Sequence, residues 1–346
     1  MTGLALAPPG VAPRRRLARA RALGLAGLAV LLVVAVAASV AFGARDVGWA
    51  DIVAAFGGQA ETFEQAAVTK RIPRTLLAVV AGAALGLSGA VMQGVTRNPL
   101  ADPGILGVNT GAALAVSLGV AGFGLVTHTA YIWTAIAGAA VTAAGVYVVG
   151  SLGRGGATPL KLALAGAATS AALSSLITAV VLGRNDIASV LRSWQIGGVG
   201  GGSFAALGQV LPFLAVGVAL SIGSARSLNS LALGDELAAG LGERVAVARA
   251  GAALGAVVLC GATTAVAGPI GFVGLVVPHA CRLLIGVDHR WLLPASALGG
   301  AILLTVSDIA GRLVARPSEV DVGIVTALVG APFFIHLVRR QKVREL

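Results

Sequence analysis

Apolar residues fall in runs close to the twenty or so that a helix needs to cross a ~30 Å hydrocarbon core, with most charged residues in the gaps between them. The runs lie at 23–42, 75–95, 105–122, 130–150, 160–182, 210–225, 250–267, 275–286, 292–311 and 322–338. Ten crossings bring both ends of the chain to one side. With that side inside, 17 of the 25 Lys and Arg fall in inner loops, tails or inner helix ends, as the retention of basic residues on the cytoplasmic side requires. The eighth run is short and needs 272–285, with tilt or partial burial, to serve as a span. The expected architecture is an all-α polytopic membrane protein with one transmembrane domain, 23–338, between basic tails at 1–22 and 339–346.

Composition agrees with that pattern. The chain is 57% hydrophobic and 11% charged, whereas a soluble domain carries about 25% charged residues. A net charge of +11 raises the possibility of nucleic acid, but only three lysines are present and the arginines sit at span ends without interleaved aromatics, so no nucleic-acid partner is expected. Arg14, Arg15, Arg16, Arg19 and Arg21 precede the first run, which is longer than a signal-peptide core and reads as an uncleaved span with its amino end inside. Cys260 and Cys281 fall in or beside apolar runs and read as small buried hydrophobes.

The loop at 226–249, RSLNSLALGDELAAGLGERVAVAR, interrupts the apolar runs with a pattern of its own. Leucines recur at helical spacing among Asp235, Glu236, Glu243 and Arg244, and Gly234, Gly240 and Gly242 divide them into pieces of one or two turns. Short helices outside the lipid are expected there, placed to receive a soluble partner. Catalytic signatures are missing: no GxxxxGK[ST] phosphate loop occurs, and His128, His279, His289 and His336 make no metal-ligand cluster. No catalytic residue, metal site or bound cofactor is expected in this chain, and nucleotide hydrolysis would belong to another. Asp308, inside the ninth run, must be paired, protonated or turned to an aqueous path, which leaves a structural contact or a pathway role open.

Two blocks then carry a resemblance. RIPRTLLAVVAGAALGLSGAVMQGVTRNPLADPGILGVNTGA at 71–112 and GPIGFVGLVVPHACRLLIGVDHRWLLPASALGGAILLTVSDIAGRL at 268–313 resemble the early and late signatures of the FecCD or BtuC-like permease family, the transmembrane subunits of binding-protein-dependent ABC importers. The resemblance covers nearly everything after the first 22 residues. It implies a type II importer permease of ten helices in a bacterial cytoplasmic membrane, both termini cytoplasmic. Its implied partners are a second permease subunit, identical or paralogous, two ATPase subunits carrying ATP-Mg, and an extracytoplasmic binding protein.

The resemblance also assigns residues. Leu228, Leu231, Leu233, Gly234, Asp235, Glu236, Ala239, Leu241 and Gly242 match the segment that couples to the ATPase. Arg71, Arg74 and Arg312 match arginines that dock the binding protein, with helix-end anchoring as the plainer alternative. Asn98, Pro99 and Asp102 match a tight inner turn, Pro278, His279 and Arg282 a PHxxR element, and Asp288, His289 and Arg290 a DHR turn, all read as structural. Two departures stand out: Asp321 where proline is common, and an unusually glycine-rich run at 197–202. The implied cargo is a metal chelate, a ferric siderophore ahead of haem or cobalamin. An ion-gradient-driven secondary transporter is the alternative of another class, kept open by Asp308.

Overall fold

The computed structural model describes residues 14–152, 158–182, 184, 188 and 194–342, and among these every regular element is a helix. In chain order they are α1 (Arg14–Ala41), α2 (Trp49–Phe56), α3 (Phe63–Thr96), α4 (Val108–Phe123), α5 (His128–Ser151), α6 (Pro159–Val181) and α7 (Phe204–Gly223). There follow α8 (Ala225–Leu231), α9 (Asp235–Gly240), α10 (Val245–Ala267), α11 (Val273–Ile285), α12 (His289–Val314) and α13 (Val322–Lys342), and a 3₁₀ turn at Pro103–Leu106 precedes α4.

The chain is thus an all-α polytopic membrane protein, with a difference from the expected count. Seven described helices, α1, α3, α5, α6, α7, α10 and α12, are long and apolar enough to span a membrane, while Val108–Phe123, Val273–Ile285 and Val322–Ile335 are shorter apolar helices. The 13 residues of α11 rise only ~20 Å against a core of ~30 Å.

The segment 43–74, between the first two apolar runs, holds α2 and the first turns of α3. Thr62 explains the early start. Its Oγ1 accepts from the Gln65 backbone N–H at 3.2 Å, while Gln65 Oε1 accepts from the Thr62 N–H at 3.4 Å, a reciprocal cap. The resulting helix of 34 residues carries Pro73 inside it and extends past the hydrocarbon.

Helix α3 is the central element, packed against α12, α10, α11 and α1. Small residues permit this closeness. A Cβ on Gly82 would lie 2.3 Å from the Gly300 carbonyl oxygen, one on Gly86 2.1 Å from that of Ser296, and one on Gly89 2.0 Å from that of Gly274. Backbone thus meets backbone along much of α3, on α12 and on the start of α11. Helices α4, α5 and α6 form a second group, joined to the first through α10.

The piece from residue 194 is pinned by its backbone: Gly198 N–H donates to Ala267 O at 2.8 Å and Gly323 N–H to Gly197 O at 3.0 Å. A Cβ on Gly198 would come within 2.6 Å of Asp321 Oδ1, so the two departures noted in the sequence touch each other. Arg154, Asp186 and Arg192 lie outside the described residues.

Candidate functional site

Two polar centres interrupt the apolar body, one at each end of α12. At the end nearest the loop 226–249, α8 and α9 form the expected pair of short helices. Leu228, Leu231 and Ala238 are buried, whereas Leu233, Leu237 and Leu241 are 57%, 63% and 68% exposed. The first set holds the loop to the helical body, and the second presents an apolar face that the described residues leave uncovered. Glu236, Ala239 and Gly242 are exposed beside it. The turn between the helices depends on Gly234, whose φ of +107° a side chain rarely adopts. Asp235 fixes the loop from the other side: Arg97 Nη2 donates to its Oδ1 at 2.9 Å, and Arg249 Nη2 to Oδ1 and Oδ2 at 3.0 and 3.1 Å. Ser227 Oγ donates to Glu243 Oε1 at 3.1 Å, tying the ends of the loop together.

Behind the loop lie the signature turns. Asn98 Oδ1 accepts from Leu100 N–H at 2.9 Å, beside the half-buried Pro99, and Asp102 Oδ1 accepts from Gly104 N–H at 2.8 Å and caps the 3₁₀ turn. Pro278 is buried within α11, and the His279 ring meets Phe333 edge-on with centroids 6.0 Å apart. Arg282 donates to Gln93 Oε1, and Gln93 Nε2 donates to the Gly274 carbonyl at 3.1 Å. Asp288 caps α12 by accepting from the Arg290 backbone N–H at 3.1 Å. Asn229, on α8, binds both Asp288 and His289.

At the far end of α12, Asp308 is buried between two guanidiniums. Arg74 donates from Nε and Nη2 to Asp308 Oδ1 at 3.0 and 2.8 Å, and its Nη1 reaches Glu319 Oε2 at 2.6 Å. Arg312 Nη2 lies 3.0 Å from Asp308 Oδ2 as an ion pair without hydrogen-bond alignment. Its Nε donates to the Asp308 carbonyl at 3.4 Å, and its other bonds go to the end of α1: Nη1 to the carbonyls of Ser39 and of Phe42, one residue past the helix, at 3.0 and 2.9 Å, and Nη2 to Ser39 Oγ at 2.7 Å. Arg71 likewise donates to the carbonyls of Val40 and Ala41 at 3.0 Å each, and to that of Arg45. The last carbonyls of a helix have no partners within it and form the negative end of its dipole, so two arginines there cap α1.

This geometry bears on the docking expectation. Docking needs guanidiniums that face water, and Arg71 and Arg312, 6% and 1% exposed, are turned inward. The plainer alternative of helix-end anchoring describes both better. Only Arg74 connects to the rim, through the half-exposed Glu319. Asp308, which could have been a pathway group, has two cationic partners and sits in a cluster of two acids and two bases.

Several of these residues escape the sequence reading: Asn229, Gln93, Ser39, Arg97, Arg249 and Glu319. For Ser39 and Gln93 the available signal is a polar side chain inside or beside an apolar run. Among the described residues no group of three or more His, Cys, Asp or Glu could hold a metal ion.

Taken together, the fold and the two centres describe a multi-pass membrane protein with an exposed apolar knob and internal charge clusters. The model of the FecCD transport family matches residues 31–340, and the chain belongs to that family. It is 43% identical over 322 residues to the ferric enterobactin transport system permease protein FepD of Escherichia coli (strain K12), covering 93% of this chain and 96% of that protein. It is 46% identical over 273 residues to the iron(3+)-hydroxamate import system permease protein FhuB of Bacillus subtilis (strain 168), covering 79% and 71%. Among solved structures, an inward-facing ABC transporter assigned to the metal-chelate type superposes with a TM-score of 0.79 at 29% identity, covering 92% of this chain and 99% of that one.

Proposed function

We propose that this chain is the transmembrane permease of an ABC importer for a metal chelate, in the bacterial cytoplasmic membrane, and that the chelate is a ferric siderophore. The observation that carries the reading is the full-length relation to ferric-siderophore permeases, 96% of FepD being covered. The exposed Leu233, Leu237 and Leu241 supply what such a permease needs physically, an apolar seat for a soluble motor. The chain makes and breaks a pathway and catalyses no bond change. ATP-Mg binds to two partner ATPases that grip the loop 226–249 of this chain and of a second permease subunit, and ATP-driven closure moves the loops together and tips the helices between outward and inward arrangements. The three shorter helices complete ten crossings, with both termini inside. An extracytoplasmic binding protein delivers the chelate, and Arg74 with its rim partner Glu319 is the point at which charge steers its docking. A siderophore's coordination shell travels with the iron, so the permease needs no ring of metal ligands.

The test is reconstitution of this permease with its ATPase and binding protein in liposomes, offering ferric siderophores, haem and cobalamin. Uptake of a ferric siderophore that requires both ATP and the binding protein is expected. Uptake driven by an ion gradient through this chain alone would overturn the reading in favour of a secondary transporter, and ATP-driven uptake of haem or cobalamin alone would overturn the substrate.

A further inference from the structure

Asn229 stands on α8 beside the buried Leu228 and reaches out of the coupling loop altogether. Its Nδ2 donates to Asp288 Oδ1 at 2.7 Å, and its Oδ1 accepts from the His289 backbone N–H at 2.9 Å, with His289 Nδ1 a further 2.9 Å contact. The carboxylate accepts only, so the amide nitrogen must face it; the amide oxygen then faces His289 and makes Nδ1 the protonated ring nitrogen. Arg21 of α1 closes the junction, donating from Nε to Ile285 O at 3.0 Å with Nη1 3.6 Å from Asp288 Oδ2. The His289 ring is held on its other edge by α3, where a Cβ on Gly94 would lie 2.8 Å from Nε2. One amide thus ties the coupling helix to the first turn of α12.

The kind of contact matters for transmitting movement. Apolar burial of Leu228 and Leu231 is non-directional and lets surfaces slide, whereas short aligned hydrogen bonds resist shear. Beyond the junction, α12 is interlocked with α3 through Gly82, Gly86, Ser296 and Gly300. From His289 the helix runs 19 residues, roughly 28 Å, to Asp308, which grips Arg74 of α3.

We propose that Asn229 is the joint through which movement of the coupling helix is passed to α12, and with α12 to α3 and the outer charge cluster. It is a positioning residue, touching neither nucleotide nor chelate, and the proposal rests on the coupling reading of 226–249.

The pairing permits an exchange test in the assembled importer. Asn229→Asp sets two carboxylates against each other, and Asn229→Ala removes the joint. The exchanged pair, Asn229→Asp with Asp288→Asn, restores the link between the two positions: the amide nitrogen at 288 donates to the carboxylate at 229, which still accepts from His289, at the expense of the α12 cap, because the Asp288 oxygen that faces Asn229 also accepts from the Arg290 N–H. The readouts are the ATP hydrolysed per chelate imported and the melting temperature of the purified permease alone. Each single change at 229 is expected to raise the ATP cost per chelate at least fivefold, and the exchanged pair to bring it back to within twofold of the parent, with melting temperatures following the same order. An unchanged ratio in both single variants overturns the proposal, as does an exchanged pair that stays uncoupled. If the unaltered importer shows no ATP-dependent uptake, the coupling reading fails, while the melting order still reports whether the junction exists.

Discussion

Asp102 and Asp288, both in turns between helices, show how two carboxylates of one chain are driven in opposite directions. Burial pushes Asp102 above the usual carboxylate range, and the single N–H of Gly104 only partly offsets it. At Asp288 burial acts in the same sense but is outweighed by the hydrogen bonds from Asn229 and the Arg290 N–H and by the charges of Arg21 and Arg290, so its carboxyl is held below that range. The consequences for stability have opposite signs. Asp288, depressed in the folded state, contributes stability that is present above its unfolded pKa of about 4 and lost as pH falls through the folded value. Asp102, raised, subtracts stability progressively as pH rises from about 4 through its folded value. Melting of the permease from pH 3 to 8 checks both. Asp288→Asn should lower stability at pH 7 by on the order of 1 kcal/mol and flatten the acid limb. Asp102→Asn, which keeps an acceptor for Gly104, should raise the melting temperature at pH 7–8 with a difference that vanishes towards pH 4.

At the scale of elements, α3 and α12 behave as one body because their backbones touch. Gly86→Val must displace the Ser296 carbonyl, which a Cβ would approach to 2.1 Å, and such overpacking costs about 1–3 kcal/mol, or more where backbone must move. Gly27, on α1, has open space around it, and Gly27→Ala should be neutral or stabilising by up to about 1 kcal/mol. Thermal melting of the two variants tests whether glycine is needed for contact or merely tolerated. The spacing of Gly82, Gly86 and Gly89 makes a close-packing face legible in the sequence, since small residues one turn apart have few other uses in lipid. Their partners, Gly300, Ser296 and Gly274, are not legible, because nothing local ties α3 to a helix some two hundred residues away. The arginines illustrate the same limit. Sequence places Arg71, Arg74 and Arg312 at outer helix ends, but the orphan carbonyls of α1 that attract two of them belong to backbone, on which side-chain pattern is silent. Likewise the periodicity of the coupling loop exposes its leucines to view without telling which are turned inward, and Asn229 has no local partner to betray it.

For the whole molecule, the number of crossings decides which side each loop faces, and the three short helices make that a sharp question. If only the seven helices of full spanning length crossed, a chain starting inside would have crossed five times before α8, by α1, α3, α5, α6 and α7, leaving the loop 226–249 outside. Adding α4 makes six and brings the loop inside, where an ATPase can reach it. The same arithmetic sends the end of α13 outside after seven crossings and inside after ten. Single cysteines at three exposed positions separate the cases: Gln59→Cys between α2 and α3, Gly240→Cys in the coupling loop, and Arg339→Cys near the end of α13. The native Cys260 and Cys281 are buried and give little background. In right-side-out vesicles a membrane-impermeant maleimide should label position 59 directly, and positions 240 and 339 only after permeabilisation. Labelling of 240 from outside would remove the loop from the motor and end the importer mechanism, whereas labelling of 339 alone would show that one of α11 and α13 turns back before crossing, and leave the coupling loop where it is. The apolar face of Leu233, Leu237 and Leu241 is too small to enter the bilayer as a span and too apolar to stand in water uncovered, so it needs a protein cover, and the first pattern follows where that cover is the ATPase of the proposed importer, on the inner side.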